Sequence, residues 1–316
     1  MYNYDNYIKV KDEIEKRRIS ARALADSRSE IVRCESEEIR EIDEELSGTG
    51  MKLFAAACRG EDITPLKKRN LELVAKRRAA IVKLGYPEDY TDVHYSCTEC
   101  SDTGFVGGTR MCRCFREALI KANIASSGIG GLIDKQSFEN FDLSWYKYDE
   151  SVYTKMKANL AAAKSYVKNF AKKKDNLLLI GKTGTGKTHI STSIAREIIS
   201  LGYNVVYDST QNIIADFEAD RFKSGYGSYE PRSERHLECD LLIIDDLGTE
   251  FSNQFTVSCL YNLLNTRQNR GLATIISTNL SPDELAKKYE DRIYSRIIGS
   301  GCRVLSFVGK DRRISI

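Results

Sequence analysis

Gly181-Lys182-Thr183-Gly184-Thr185-Gly186-Lys187-Thr188 separates two segments of different hydrophobic period. Before it, Leu177–Ile180 is a continuous apolar run, the pattern of a buried strand. After it, Ile190, Ile194 and Ile198 recur at helical spacing. The eight residues satisfy G-x-x-x-x-G-K-[ST] completely, and strand before, helix after is the context that motif requires. Glycines let successive N–H groups curl around phosphate oxygens without a Cβ in the way. The N-terminus of the following helix adds its dipole. Gly181, Thr183, Gly184, Thr185 and Gly186 are therefore candidate cradle residues, with His189 just beyond them. Lys187 is placed to reach the β and γ phosphates of ATP, and Thr188 to ligate Mg2+. A chance glycine-rich turn would explain the glycines but neither flank.

Downstream, apolar runs alternate with helical stretches. Asn176–Ile180, Asn204–Tyr207, Leu241–Asp245, Thr274–Thr278 and Arg303–Phe307 read as strands. Lys187–Ser200, Thr210–Ala219, Gln254–Asn269 and Pro282–Tyr289 read as helices. This alternation predicts an α/β domain on a parallel sheet. Ser281-Pro282-Asp283-Glu284 is a helix start, with a Ser cap, Pro in the first turn and a Glu able to reach back. The strand Leu241–Ile244 ends in Asp245 and Asp246, where strand ends converge on a phosphate loop. Asp245 is the expected Mg2+ partner, through water, and Asp246 the expected group on the attacking water. A strand-end turn is the plainer explanation, since Asp-Asp-Leu-Gly is turn-like. Asn279 closes a third strand, from which it could bond the γ-phosphate or the attacking water. Arg292, Arg296 and Arg313 are candidates to stabilise transition-state charge, although each could equally make a surface ion pair.

The first ~85 residues have another character. From Tyr7 to Leu46 the chain is dense in charge, with Ile14, Ala21, Leu24, Ile31, Ile39, Ile42 and Leu46 forming a sparse helical seam. Ser47-Gly48-Thr49-Gly50 reads as a turn, and further helices are expected around Met51–Cys58 and Pro65–Leu84. Such a region either packs on itself by a narrow stripe or offers a helical hairpin to a partner.

Between these parts lie Cys97, Cys100, Cys112 and Cys114. Four thiols this close, the first pair at C-x-x-C spacing, suit a tetrahedral structural Zn2+ site. His94 is near enough to replace one of them, and a redox dithiol or four unligated thiols are alternatives. The chain carries nine cysteines, an odd number, and no apolar export segment, which argues against a disulfide framework. Asn123–Gly131 (NIASSGIGG) reads as a linker. The expected division is a helical region over 1–90, a zinc-binding module over 91–125 and an ATPase domain over 126–316.

Composition sets outer limits. With 41% hydrophobic and 29% charged residues the chain is globular, and no apolar run approaches the ~20 residues that span a bilayer. A cytoplasmic location without membrane contact is expected. A net charge of +3 requires any nucleic-acid binding to come from a local patch. Residues 216–238 offer one, with Arg221, Phe222, Lys223, Tyr226, Tyr229, Arg232 and Arg235, although Glu218, Asp220, Glu230, Glu234 and Glu238 dilute its charge.

The order GKTGTGKT (181–188), LLIIDDLG (241–248), ISTN (276–279) and RIYSRIIG (292–299) resembles the AAA+ ATPases of the DnaC/DnaI helicase-loader group, whose core the IstB transposition helpers share. SFENFD at Ser137–Asp142 is similar to the family's lead-in, and the Cys-x-x-Cys-x-Asp-Thr-Gly stretch to the zinc-bearing region of DnaI-like loaders. The resemblance implies an AAA+ fold and a slow ATPase that helps place the replicative DNA helicase on single-stranded DNA. It also implies that Arg296 is an arginine finger acting on a neighbouring subunit's ATP, hence self-association. Arg313 stands where the second sensor arginine is expected, with Arg312 adjacent. An IstB-like helper is the first alternative, against which the helical N-terminus and the cysteines argue. A non-catalytic nucleotide-switched adaptor is the second.

Overall fold

The computed structural model describes residues 3–222, 231–299 and 301–312. It divides into two compact units: Lys9–Arg116, and residues 3–8 with everything from Glu117 onward. Among the described residues no helix is long and apolar enough to cross a membrane.

The first unit is built on α1 (Tyr4–Glu35), α2 (Glu37–Cys58) and α3 (Thr64–Lys83). The charged seam is broken once, at Ser36, whose extended backbone and side chain cap α2 by accepting from Ile39 N. Val32, Ile39, Ala80 and Ile81 form a small core with Tyr86 and Tyr90 packed on it. Arg77 ties the helices together, donating to Asp43 at 2.6 Å, to Ser29 at 2.9 Å and to Thr91 at 2.7 Å. Two sequence expectations need correction. Leu24 and Ile31 are exposed, while Ala25 and Val32 are buried in their place. Over 32 residues a 3.6-residue period drifts away from a seven-residue seam, so the buried stripe moves over by one position. Ser47–Gly50 is not a turn, because α2 runs straight through it. Thr49 is buried there, its hydroxyl within 3.0 Å of both the Leu46 carbonyl and Asn70 of α3. That packing overrides the weak helical preference of the flanking glycines.

The chain then forms the hairpin β1 (Phe105–Val106) and β2 (Arg110–Met111), followed by α4 (Arg113–Ser126) and the short α5 (Leu132–Lys135). The expected linker is largely structured. Residues 123–126 complete α4, Ile129 is buried, and Ser127 O accepts from Tyr207 N at 2.7 Å. Glycine and serine serve here as close-packing residues, which composition cannot distinguish from slack.

A 3₁₀ turn (Leu143–Tyr146) precedes the repeating α/β part: α6 (Glu150–Asn169), β3 (Asn176–Gly181), α7 (Lys187–Ser200), β4 (Val205–Ser209), α8 (Thr210–Phe222), α9 (Glu234–Glu238), β5 (Leu241–Leu247), α10 (Gln254–Asn269), β6 (Ala273–Thr278), α11 (Pro282–Ile298) and β7 (Cys302–Phe307). The five strands form one parallel sheet in the order β4-β5-β6-β3-β7. Alternate side chains feed two cores. Leu177, Leu179, Ile243, Ile275 and Leu305 face one layer with α6 and α7. Leu178, Val206, Leu242, Ile244 and Ile276 face the other with α10 and α11. This is the three-layer α/β architecture that the alternation predicts. The capping box at Ser281 and Glu284 forms, and α11 continues nine residues past Tyr289 because Ile293 and Ile297 keep its buried stripe going. In this order the C-terminal ends of β3, β5 and β6 lie side by side, where α/β sheets hold their ligands.

Candidate nucleotide site and cysteine centre

The segment after β3 turns sharply into α7. Gly184 (φ +74) and Gly186 (φ +98) have left-handed backbones. A Cβ on Gly186 would come within 3.0 Å of Phe141 and Tyr146, and one on Gly184 would run into Asp311. The local fold therefore requires both glycines. Tyr146, wholly buried, donates to Thr185 O at 3.0 Å and braces the loop from behind. Thr185 turns inward, its hydroxyl on Lys182 O at 2.7 Å.

The loop opens onto a cavity of about 280 Å3 lined by Thr183, Gly184, Gly186, Lys187, Thr188 and His189, and across from them by Asp246, Asn279, Gln136 and Arg312. Lys187 Nζ is folded back on Gly181 O (2.6 Å), Lys182 O (3.0 Å) and Asn279 Oδ1 (2.7 Å). His189 Nε2 donates to the lead-in segment at Ser137 O, at 2.8 Å, and the ring meets Phe141 edge-on. Since the partner is a carbonyl, Nε2 carries the proton, and burial lowers the pKa of the ring below the usual histidine value. Arg312 joins from beyond β7: its backbone N–H donates to Gly184 O at 3.2 Å, and its guanidinium lies over Trp145 at 5.0 Å. Arg313 lies outside the described residues.

The two aspartates diverge. They occupy a bulge in β5, between Ile244 and Leu247, and Asp246 adopts a left-handed backbone (φ +53). Bulges of this kind re-aim side chains next to functional sites. Asp246 faces the cavity. Asp245 does not line it and instead accepts from Tyr207 Oη at 2.5 Å and from Ser277 Oγ. Burial and the neighbouring Asp245 charge push the Tyr207 pKa well up, so this phenol keeps its proton and donates. Arg296 stands away from the cavity, on α11. It bonds Asn265 Oδ1 at 2.8 Å and Tyr261 Oη at 3.0 Å, and stacks on the Tyr261 ring. Arg292 lies in the same area, beside Tyr261 and Ile293.

Tyr207, Ser277, Gln136 and Tyr146 belong to the site's structure and were not singled out by the sequence pattern. Ser277 carries a usable signal, since it stands on β6 two positions before Asn279, which follows the end of that strand. The others come together only through tertiary folding.

In the first unit the four cysteines Cys97, Cys100, Cys112 and Cys114 converge, each Sγ within 4.8 Å of the others. The hairpin β1–β2 returns the second pair onto the first. Buried Asp102 accepts from Ser96 N (2.8 Å), Cys97 N (3.0 Å) and Arg17 (2.6 Å), fixing the turn between the first pair and the hairpin. The Cys100 amide, above all, lowers the Cys97 pKa to about 7, whereas burial raises that of Cys114. His94 is directed elsewhere, its Nε2 within 3.1 Å of Asp89 O. A thiolate set of this compactness fits a tetrahedral zinc ion with no open position.

A phosphate loop at the end of a central parallel strand, with acids and a polar residue on adjacent strand ends, defines a P-loop nucleotide-binding protein. More particularly, residues 126–299, over half of the chain, match the family described as "IstB-like ATP binding protein", and the chain belongs to that family. The replicative helicase loader DnaC of Escherichia coli (strain K12) is 27% identical over 171 residues, covering 54% of this chain and 66% of that protein, just under two thirds of its length. The phage-like element PBSX protein XkdC of Bacillus subtilis (strain 168) is 25% identical over 228 residues, covering 66% of this chain and 82% of that one. Among solved structures, that of DnaI is similar, at 22% identity and a TM-score of 0.45, over 57% of this chain and 92% of that one.

Proposed function

We propose that the chain is an ATP-dependent loader that binds the replicative DNA helicase and helps place it on single-stranded DNA. The observation that carries the ATPase half is the convergence of Lys187, Thr188, Asp246 and Asn279 on one cavity at adjacent strand ends. The loader half is supported by the likeness to DnaC, and by the helical, cysteine-bearing region that precedes the ATPase core.

The roles follow from position. Lys187, already bonded to Asn279, exchanges its carbonyl partners for β and γ phosphate oxygens. Thr188 and Asp245 are the Mg2+-side groups, and Mg2+ supplies charge neutralisation at those phosphates when bound. Asp246 orients the attacking water, and Asn279 holds the γ-phosphate or that water. Aspartate reaches one methylene less far than glutamate, which suits a slow switch. Arg312 is the arginine on the chain's own nucleotide, and Arg296 serves the nucleotide of a neighbouring subunit. In this reading residues 1–125, of which 91–125 are held by zinc, dock on the helicase, and residues 126–316 bind ATP and DNA and self-associate.

The test uses the full-length chain, the hexameric replicative helicase and a closed single-stranded DNA circle. With ATP, helicase is expected to remain on the circle through gel filtration, and Lys187→Ala is expected to abolish this. Failure of the full-length chain to bind helicase at all would sink the loader role. Family membership favours one second reading, a transposition helper, which predicts ATP-dependent binding to duplex rather than single-stranded DNA.

A further inference from the structure

The Asp245 carboxylate is gripped from both sides by the strands that flank it. β4 contributes Tyr207, whose phenol donates to Oδ2 at 2.5 Å. β6 contributes Ser277, whose hydroxyl donates to Oδ1. The Asp246 amide also reaches Oδ1, at 3.2 Å, and Ser277 Oγ, at 3.3 Å. The Asp245 carbonyl is taken by Thr210 Oγ1 at 3.3 Å. Ser277 is fully buried and Tyr207 nearly so, so neither hydroxyl has bulk water as an alternative. The backbone of Tyr207 is itself pinned, at the sheet edge, by the Ser127 carbonyl.

A carboxylate has about two acceptor positions per oxygen. On Oδ1 both are spoken for, by Ser277 and the Asp246 amide, whereas Oδ2 has one donor and one position left. We propose that Tyr207 and Ser277 are positioning residues for Mg2+: they fix the rotamer of Asp245 so that the remaining acceptor position of Oδ2 is presented to metal-bound water. The proposal rests on the reading of Asp245 as a Mg2+-side carboxylate. Neither residue lines the nucleotide cavity: Tyr207 bears on it through the Asp245 carboxylate, and Ser277 through that carboxylate and the Asp246 amide. Outer-shell hydrogen bonds of this sort fix ligand orientation, and their loss typically costs about 10–100-fold in metal affinity.

The experiment compares wild type, Tyr207→Phe, Ser277→Ala and Asp245→Asn as full-length proteins. Binding of a fluorescent ATP analogue is measured in EDTA and across a Mg2+ titration, with thermal melts run in parallel. Tyr207→Phe and Ser277→Ala are expected to bind the analogue within about twofold of wild type in EDTA, and to need roughly tenfold more Mg2+ for half-maximal tightening. Asp245→Asn is expected to lose the tightening. If Asp245→Asn loses it while Tyr207→Phe and Ser277→Ala titrate as wild type does, the positioning role is overturned and the metal reading stands. If Asp245→Asn itself titrates as wild type does, the metal reading fails and the proposal fails with it. Should Tyr207→Phe melt early, Ser277→Ala decides the matter.

Discussion

Lys187 is buried at the base of the cavity, with the successive carbonyls of Gly181 and Lys182 and the Asn279 side chain as partners. A cation held this way is poised to trade neutral acceptors for phosphate oxygens. Each charge-assisted bond lost on truncation costs about 1.5–3 kcal/mol. Lys187→Ala is therefore expected to weaken ATP binding by at least about tenfold, read by isothermal titration. Asp246 touches the cavity without belonging to the cradle, so Asp246→Asn should leave binding within about twofold and lower turnover at least ~100-fold in single-turnover hydrolysis. Retained turnover would remove Asp246 from the chemistry. Residues that short local patterns carry to the cavity were legible in their placement: Lys187, Thr188, Asp246 and Asn279 all line it. Tyr207 was not, because it stands 38 positions before its partner Asp245 and reads as one more apolar strand residue.

At the scale of elements, the strands and helices of the nucleotide-binding part were legible because period and punctuation agree there. The phosphate-loop helix, for one, begins at Lys187 and ends at Ser200 as its isoleucine spacing indicates. In α2 they disagree, and packing decides. Gly48 and Gly50 sit inside a helix, and a Cβ on either meets nothing within 4 Å. Gly48→Ala and Gly50→Ala are each expected to stabilise α2 by about 0.5–1 kcal/mol. Amide exchange around Thr49 should slow accordingly, roughly two- to fivefold. Unchanged or faster exchange would mean that the glycines are needed for bending or partner contact. The cysteine centre makes a separate demand. β1 and β2 are two residues each, too short to stand alone, and a metal ion held by the four thiols would supply folding energy to this hairpin. Protein purified without chelators should carry about one zinc per chain by elemental analysis. Cys112→Ser, which breaks the thiolate set, should bring this below half and speed exchange across residues 105–111.

For the whole molecule, the small net charge is an average that hides its parts, and the Gly/Ser stretch near residue 127 is packed rather than slack. Neither could be read from composition, which counts residues without saying what they touch. Arg296 raises the remaining question, because on its own chain it reaches Asn265 and Tyr261 and not the nucleotide cavity. An arginine that acts on a γ-phosphate from there must act on another copy. Arg296→Ala should then bind ATP as wild type does but hydrolyse it far more slowly, by a factor of order 10³ if it is a full arginine finger. Lys187→Ala has the complementary defect: it cannot use its own site, yet it still presents Arg296 to a neighbour. Mixing the two inactive proteins should restore ATP hydrolysis that neither shows alone, as Arg296 of one completes the cavity of the other. The recovered rate should rise with total protein concentration, because it depends on association. A mixture that stays inactive at concentrations where wild type self-associates would mean that Arg296 only braces α11 against α10.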